Sequence, residues 1–72
     1  MKEDLVEAAG TVIDKQRNDF FKVQITNSEH IVLAQVSGRM RRNHIRILMG
    51  DRVDVEMSPY DLSKGRITFR HK

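Results

Sequence analysis

The chain has 72 residues, no cysteine, one proline and a formal net charge of +3. That length holds a single domain over residues 1–72 with one core, and the lack of thiols excludes a disulfide framework and a thiolate metal site. No apolar run approaches a membrane span, and Met1-Lys2-Glu3-Asp4 has neither the basic lead nor the apolar stretch of a secretory signal, so the sequence reads as that of a cytoplasmic protein.

A period of two dominates the chain. Val6 to Asp14 predicts a first strand with a bulge or sharp bend at Gly10, because a glycine inside a strand marks such places. In Phe20-Phe21-Lys22-Val23-Gln24-Ile25-Thr26, the alternation turns Phe21, Val23 and Ile25 inward and Lys22 and Gln24 outward. Ile31 to Val36 is apolar at both parities and rich in β-branched residues; Val32, Ala34 and Val36 are assigned to its inner side. Asp51 to Met57 alternates most cleanly, with Val53, Val55 and Met57 inward. Gly65 to His71 makes a fifth strand with Ile67 and Phe69 inward and Arg66, Thr68 and Arg70 outward on one face. Gln16 to Asp19, Asn27-Ser28-Glu29 and Ser58 to Gly65 are the turns, and Tyr60 is expected to pack behind Pro59.

Between the third and fourth strands lies Ser37-Gly38-Arg39-Met40-Arg41-Arg42-Asn43-His44-Ile45-Arg46-Ile47-Leu48-Met49-Gly50. Ser37 can cap a helix, so a short helical turn near Arg39 to Asn43 is expected, followed by an extended Ile45 to Leu48 packing its apolar side chains over one barrel end. Five strands in so few residues cannot build a two-sheet sandwich with protected edges. A closed barrel removes the edges, and five strands with a connecting segment after the third describe the oligonucleotide/oligosaccharide-binding (OB-fold) barrel, an all-β fold.

The distribution of charge carries more information than its sum. Residues 38–50 hold four arginines and no acid; residues 64–72 hold Lys64, Arg66, Arg70 and Lys72 and no acid. The remaining fifty residues hold five basic and ten acidic side chains. Solubility alone favours interspersed signs, so two acid-free basic segments on an otherwise acidic chain point to a polyanion, and nucleic acid first. Arginine offers a planar fork that pairs with phosphate and stacks on bases, and its use four times in one loop favours RNA. His44, inside that loop, can stack on an unpaired base or be a plain exposed residue. The other reading of Arg66 and Arg70 is a solubilising outer face paired with acids of the fourth strand.

His30, His44 and His71 are scattered, with no carboxylate at ligand spacing, so no metal or cofactor is expected. No nucleophile motif or carboxylate pair suggests catalysis. Phe21 and Phe69 are assigned to the core, which leaves Phe20 as the one platform for stacking, whereas a general single-strand binder stacks bases on several aromatics. Recognition is therefore expected to rest on phosphates and the shape of folded RNA. The same shortage weighs against a cold-shock type of RNA chaperone, and a protein-interaction adaptor using the acidic remainder is the alternative from another class.

The segments Val36 to Leu48, Gly50-Asp51-Arg52-Val53 and Ser58-Pro59-Tyr60-Asp61-Leu62-Ser63-Lys64-Gly65-Arg66-Ile67 together resemble bacterial-type translation initiation factor one over essentially the whole chain. The resemblance implies a five-stranded barrel that binds the small (30S) ribosomal subunit at the A site. There it would contact a helix of 16S rRNA and a neighbouring ribosomal protein, block premature tRNA entry and assist initiation factors two and three. It implies a monomer off the ribosome, in the cytoplasm or a plastid stroma, with no membrane partner. Family members insert the loop after strand three into the minor groove of that helix and displace two adenines. Carried to matching positions, the RNA contacts are Arg39, Arg41, Arg42 and Arg46, with Lys64, Arg66 and Arg70 beside them. His44 departs from the tyrosine or phenylalanine of many relatives; Lys15-Gln16-Arg17-Asn18 and Asn27-Ser28-Glu29 depart at two turns.

Overall fold

A computed structural model of the protein describes residues 5–16 and 20–71. Strands β1 (Val6–Lys15), β2 (Phe20–Ile25) and β3 (Ile31–Val36) form an antiparallel meander, a short helix α1 (Gly38–Arg42) follows, and β4 (Arg52–Ser58) and β5 (Asp61–His71) form a hairpin. β5 lies parallel to β3 and β4 antiparallel to β1, which closes the barrel in the order β1-β2-β3-β5-β4. The all-β barrel with a helical turn after strand three is the architecture expected from the sequence. The turn expected at Gln16 to Asp19 falls largely outside the described residues.

Alternation fills the barrel: Val12, Phe21, Val23, Val32, Ala34, Val53, Val55, Met57 and Ile67 are buried, with Ala8, Ile25 and Val36 packed against them. Each fully buried Val or Ile contributes roughly 1.5–3 kcal/mol relative to exposure. Met40 from α1 and Ile47 from the following loop join the same cluster, so the connection after strand three is part of the core.

β1 is long because it serves two partners. Its first half pairs with β4 (Val6 to Thr11 against Met57 to Arg52) and its second with β2 (Gly10 to Lys15). Gly10 sits at the crossover, where a Cβ would lie 2.6 Å from Val23 Cγ1 and 2.7 Å from the Gln24 carbonyl oxygen. Close approach of backbones therefore requires the glycine. The irregularity expected at Gly10 lies instead between Val12 and Asp14.

The fifth strand departs most from its expected form. The turn is only Pro59-Tyr60, with Ser58 opposite Asp61, and β5 begins at Asp61 rather than Gly65. Tyr60 is 83% exposed and does not pack behind Pro59. The pairing then jumps to Met57 opposite Gly65, so Leu62-Ser63-Lys64 bulge out; the His30 ring donates from Nε2 to the Leu62 carbonyl at 2.6 Å and pins the bulge. Asp61 Oδ1 accepts from the Ser63 hydroxyl and amide, which lowers its pKa below the ordinary aspartate value.

A second shift has larger consequences. Val55 faces Ile67 but Asp54 faces Phe69, leaving Thr68 as the extra residue. A bulge of one residue inverts the facing of everything beyond it. Phe69 is consequently on the outside, 55% exposed, against the edge of His71 at 4.9 Å, and His71 Nε2 lies 2.8 Å from Asp54 Oδ1. Arg70 stands opposite buried Val53, on the core side at the barrel end, while Arg66 stands opposite Glu56 on the outer surface. The expectations that Phe69 is core and that Arg66 and Arg70 share a face are both corrected by this bulge.

Replacing Ile67 with alanine should lower stability in a urea titration by about 2–5 kcal/mol. Phe69→Ser should move it by less than about 0.5 kcal/mol, as for other exposed sites; equal losses at both positions would contradict the inverted register. Gly10→Ala should destabilise by about 1–3 kcal/mol because the added carbon meets backbone, and an unchanged unfolding midpoint would contradict the close approach.

Candidate nucleic-acid interface

The basic connection is built from both ends against the barrel. Ser37 caps α1: its hydroxyl accepts from the Met40 amide at 3.3 Å, and its own amide donates to the Ile67 carbonyl at 3.0 Å. Five residues are too few for a stable free helix, but Met40, the buried residue of α1, fixes it by packing into the core. Arg39, Arg41 and Arg42 are left exposed around it. Asn43 closes the helix by donating its amide hydrogen to the Arg39 carbonyl, and His44 takes a left-handed backbone (φ 56°) that turns the chain back over the barrel end. Ile47 is then buried. Asp51 Oδ2 accepts from the Leu48 amide at 2.9 Å, Gly50 at φ 90° makes the return turn, and its amide donates to the Val12 carbonyl at 2.8 Å. Of Ile45, Ile47 and Leu48, expected to pack over the end, Ile47 does so, whereas Ile45 and Leu48 are 37% and 53% exposed.

α1 stands as a ridge between two open grooves. On one side, a groove of about 640 Å³ brings Arg41, His44 and Arg46 together with Lys15 over an apolar floor that includes Phe21, Val36 and Ile47. On the other, a groove of about 470 Å³ is lined by Arg39, Arg42 and Arg66, with Ser37, Thr68 and a single acid, Glu56. Lys64 is exposed on β5 and lines neither. Arg70 is half-buried and lines neither; its Nη1 donates to the Arg46 carbonyl at 2.5 Å. Six of the eight residues singled out in the sequence thus gather on the two flanks of one ridge. Lys15 was missed: it ends β1, two strands before the first basic run, and reaches the groove because the irregularity after Val12 redirects the end of β1.

None of Arg39, Arg42, Arg46 and Arg66 forms an ion pair with a carboxylate among the described residues. Those four cations, gathered without a carboxylate partner among the described residues, raise the local positive potential and leave their donors to an external anion. The exposed aromatics, Tyr60 and Phe69, lie outside both grooves, and Phe20 is half-buried. Among the described residues no three His, Asp or Glu side chains are grouped to hold a metal ion, and no helix is long and apolar enough to cross a membrane.

The chain is similar to known proteins. The family model for translation initiation factor 1A / IF-1 matches residues 1–72. Translation initiation factor one from the Wolbachia endosymbiont of Brugia malayi is 46% identical, with 94% of this chain and 79% of that one covered and a TM-score of 0.76. YjeQ from Thermotoga maritima and the circularly permuted GTPase YloQ are each 22% identical, with TM-scores of 0.77 and 0.74 over 93% of this chain. The chain spans only 23% of each of those two proteins, and the likeness shows a shared barrel fold alone. A family model matched along the full length, together with 46% identity across nearly the whole chain, makes this protein a member of the translation initiation factor 1A / IF-1 family.

Proposed function

We propose that this protein is a non-catalytic plug that binds the small ribosomal subunit at the A site, grips 16S rRNA with the ridge around α1, and blocks premature tRNA entry while assisting initiation factors two and three. Family membership supplies the process. The observation that carries the RNA contact is the clustering of Arg39, Arg41, Arg42, His44, Arg46 and Arg66 on the flanks of a ridge whose base is locked into the barrel core.

A ridge with cations on both sides suits a groove of double-helical RNA, where two lines of phosphate flank an inserted element. Double-helical RNA is recognised largely by its shape, its phosphates and its 2′-hydroxyls. The arginines would pair with phosphate oxygens through charge-assisted, often bidentate, hydrogen bonds. The apolar floor beside Arg41 and Arg46 gives a displaced base somewhere to lie, with the His44 ring at its rim. Lys64, on the outer surface of β5, extends the positive field beside the ridge.

Titration of small subunits across several salt concentrations is expected to give a slope of log affinity against log salt near roughly −3 to −5, corresponding to about five neutralised phosphates; a slope near zero would refute the phosphate grip. Arg42→Ala is expected to weaken subunit binding by about 1.5–3 kcal/mol while shifting unfolding by less than about 0.5 kcal/mol. Unfolding of the barrel by that change would instead make Arg42 structural.

A further inference from the structure

The sequence pattern groups Arg70 with the residues that would touch RNA. The geometry points to a different role: Arg70 is a positioning residue that straps the extended half of the basic loop onto the barrel and acts on RNA binding through Arg46. This rests on the functional reading above for its consequence, though not for the contact itself.

Three observations support it. The bulge at Thr68 turns Arg70 to the core side of β5, opposite buried Val53, so its stem runs beneath the loop rather than out from the sheet. Its guanidinium donates to the main-chain carbonyl of Arg46 at 2.5 Å. Among the described residues, the Arg46 main chain has no other hydrogen bond. Main-chain hydrogen bonds among the described residues hold the loop from the Asn43, His44 and Ile45 amides back to α1 carbonyls and, at the far end, from the Leu48 amide to Asp51, the Asp51 amide to the Leu48 carbonyl and the Gly50 amide to Val12. Arg46 and Ile47 lie between these two sets, and the bond from Arg70 ties the first of them while the buried Ile47 side chain anchors the second.

The choice of residue follows from the chemistry. A carbonyl oxygen satisfied by a cation makes a stronger bond than one satisfied by a neutral donor. The guanidinium reaches it from a stem packed at the barrel end, so the strap transmits the rigidity of the closed sheet to a stretch with no regular structure. Holding the Arg46 backbone fixes where its exposed side chain starts, and misplacing a binding group lowers affinity without removing it.

The test combines a double-mutant cycle with nuclear magnetic resonance of the free protein. Arg70→Met keeps the stem and removes the donor. If Arg70 acts through Arg46, Arg70→Met should weaken small-subunit binding about tenfold in the native background, and by less than about twofold when Arg46→Ala is already present, because coupled residues are not additive. In the free protein, Arg70→Met should shift the Arg46 carbonyl carbon and speed amide exchange at Ile45 to Leu48, while exchange at Val53 and Ile67 is unchanged. Arg70→Lys, which keeps a charged donor, should recover part of both effects. Equal losses from Arg70→Met in the two backgrounds would mean that Arg70 touches RNA itself and would overturn the proposal. An unmoved Arg46 carbonyl would overturn the strap regardless of binding. Failure of the native protein to bind subunits would remove the functional reading and with it the role in binding, while the resonance arm still decides the contact.

Discussion

The burial of Met40 and Ile47 in the barrel core is the interaction on which the rest of the molecule's surface depends. Four arginines within eight residues repel one another: at separations on the order of 8 Å, each like-charge pair in water costs roughly 0.5 kcal/mol before salt screening. Two fully buried apolar side chains return about 1.5–3 kcal/mol each. The connection after strand three can therefore stay folded against its own charge with few regular hydrogen bonds, and the barrel must be closed to provide a core for those two side chains. Closure comes from the parallel pairing of β5 with β3, which brings Ile67 beside the base of α1 and lets its carbonyl accept from Ser37.

A scaffold of this kind presents its cations outward on two sides. Arg39, Arg42 and Arg66 share one flank of the ridge, and Arg41, Arg46 and Lys15 the other. Glu56 is the one acid lining these two grooves among the described residues, placed opposite Arg66 in the strand register. A bound polyanion would relieve the mutual repulsion and release its own counterions, both of which favour association. The chain belongs to the translation initiation factor 1A / IF-1 family, and the proposed RNA contact accords with this distribution of charge.

Much of this is legible in the sequence. The alternation in β2 and β4, and the inner side assigned to β3, predict the core at Phe21, Val23, Val32, Ala34, Val53, Val55 and Met57, because one buried face per strand leaves a period of two. Ser37 as a helix cap is readable from residue type, and so is the basic cluster, since acid-free runs are a property of composition. The bulges are not. A single extra residue at Thr68 leaves no mark in a β-branched and aromatic strand, yet it decides that Phe69 is outside and that Arg70 turns toward the core side. Lys15 escapes notice for the same reason, because an irregularity after Val12 sets where the end of β1 points. Local pattern carries facing; bulges are set by long-range closure, which periodicity does not contain.

Insertion of the ridge around α1 into a groove of folded rRNA at the A site is tested most directly by chemical probing of small subunits with and without the protein. The expected result is protection of backbone positions on both sides of one helical groove at the A site, lost together when Arg41, Arg42 and Arg46 are replaced by alanine in a chain that remains folded. Protection confined to another region of the subunit, or undiminished by those three replacements, would contradict it.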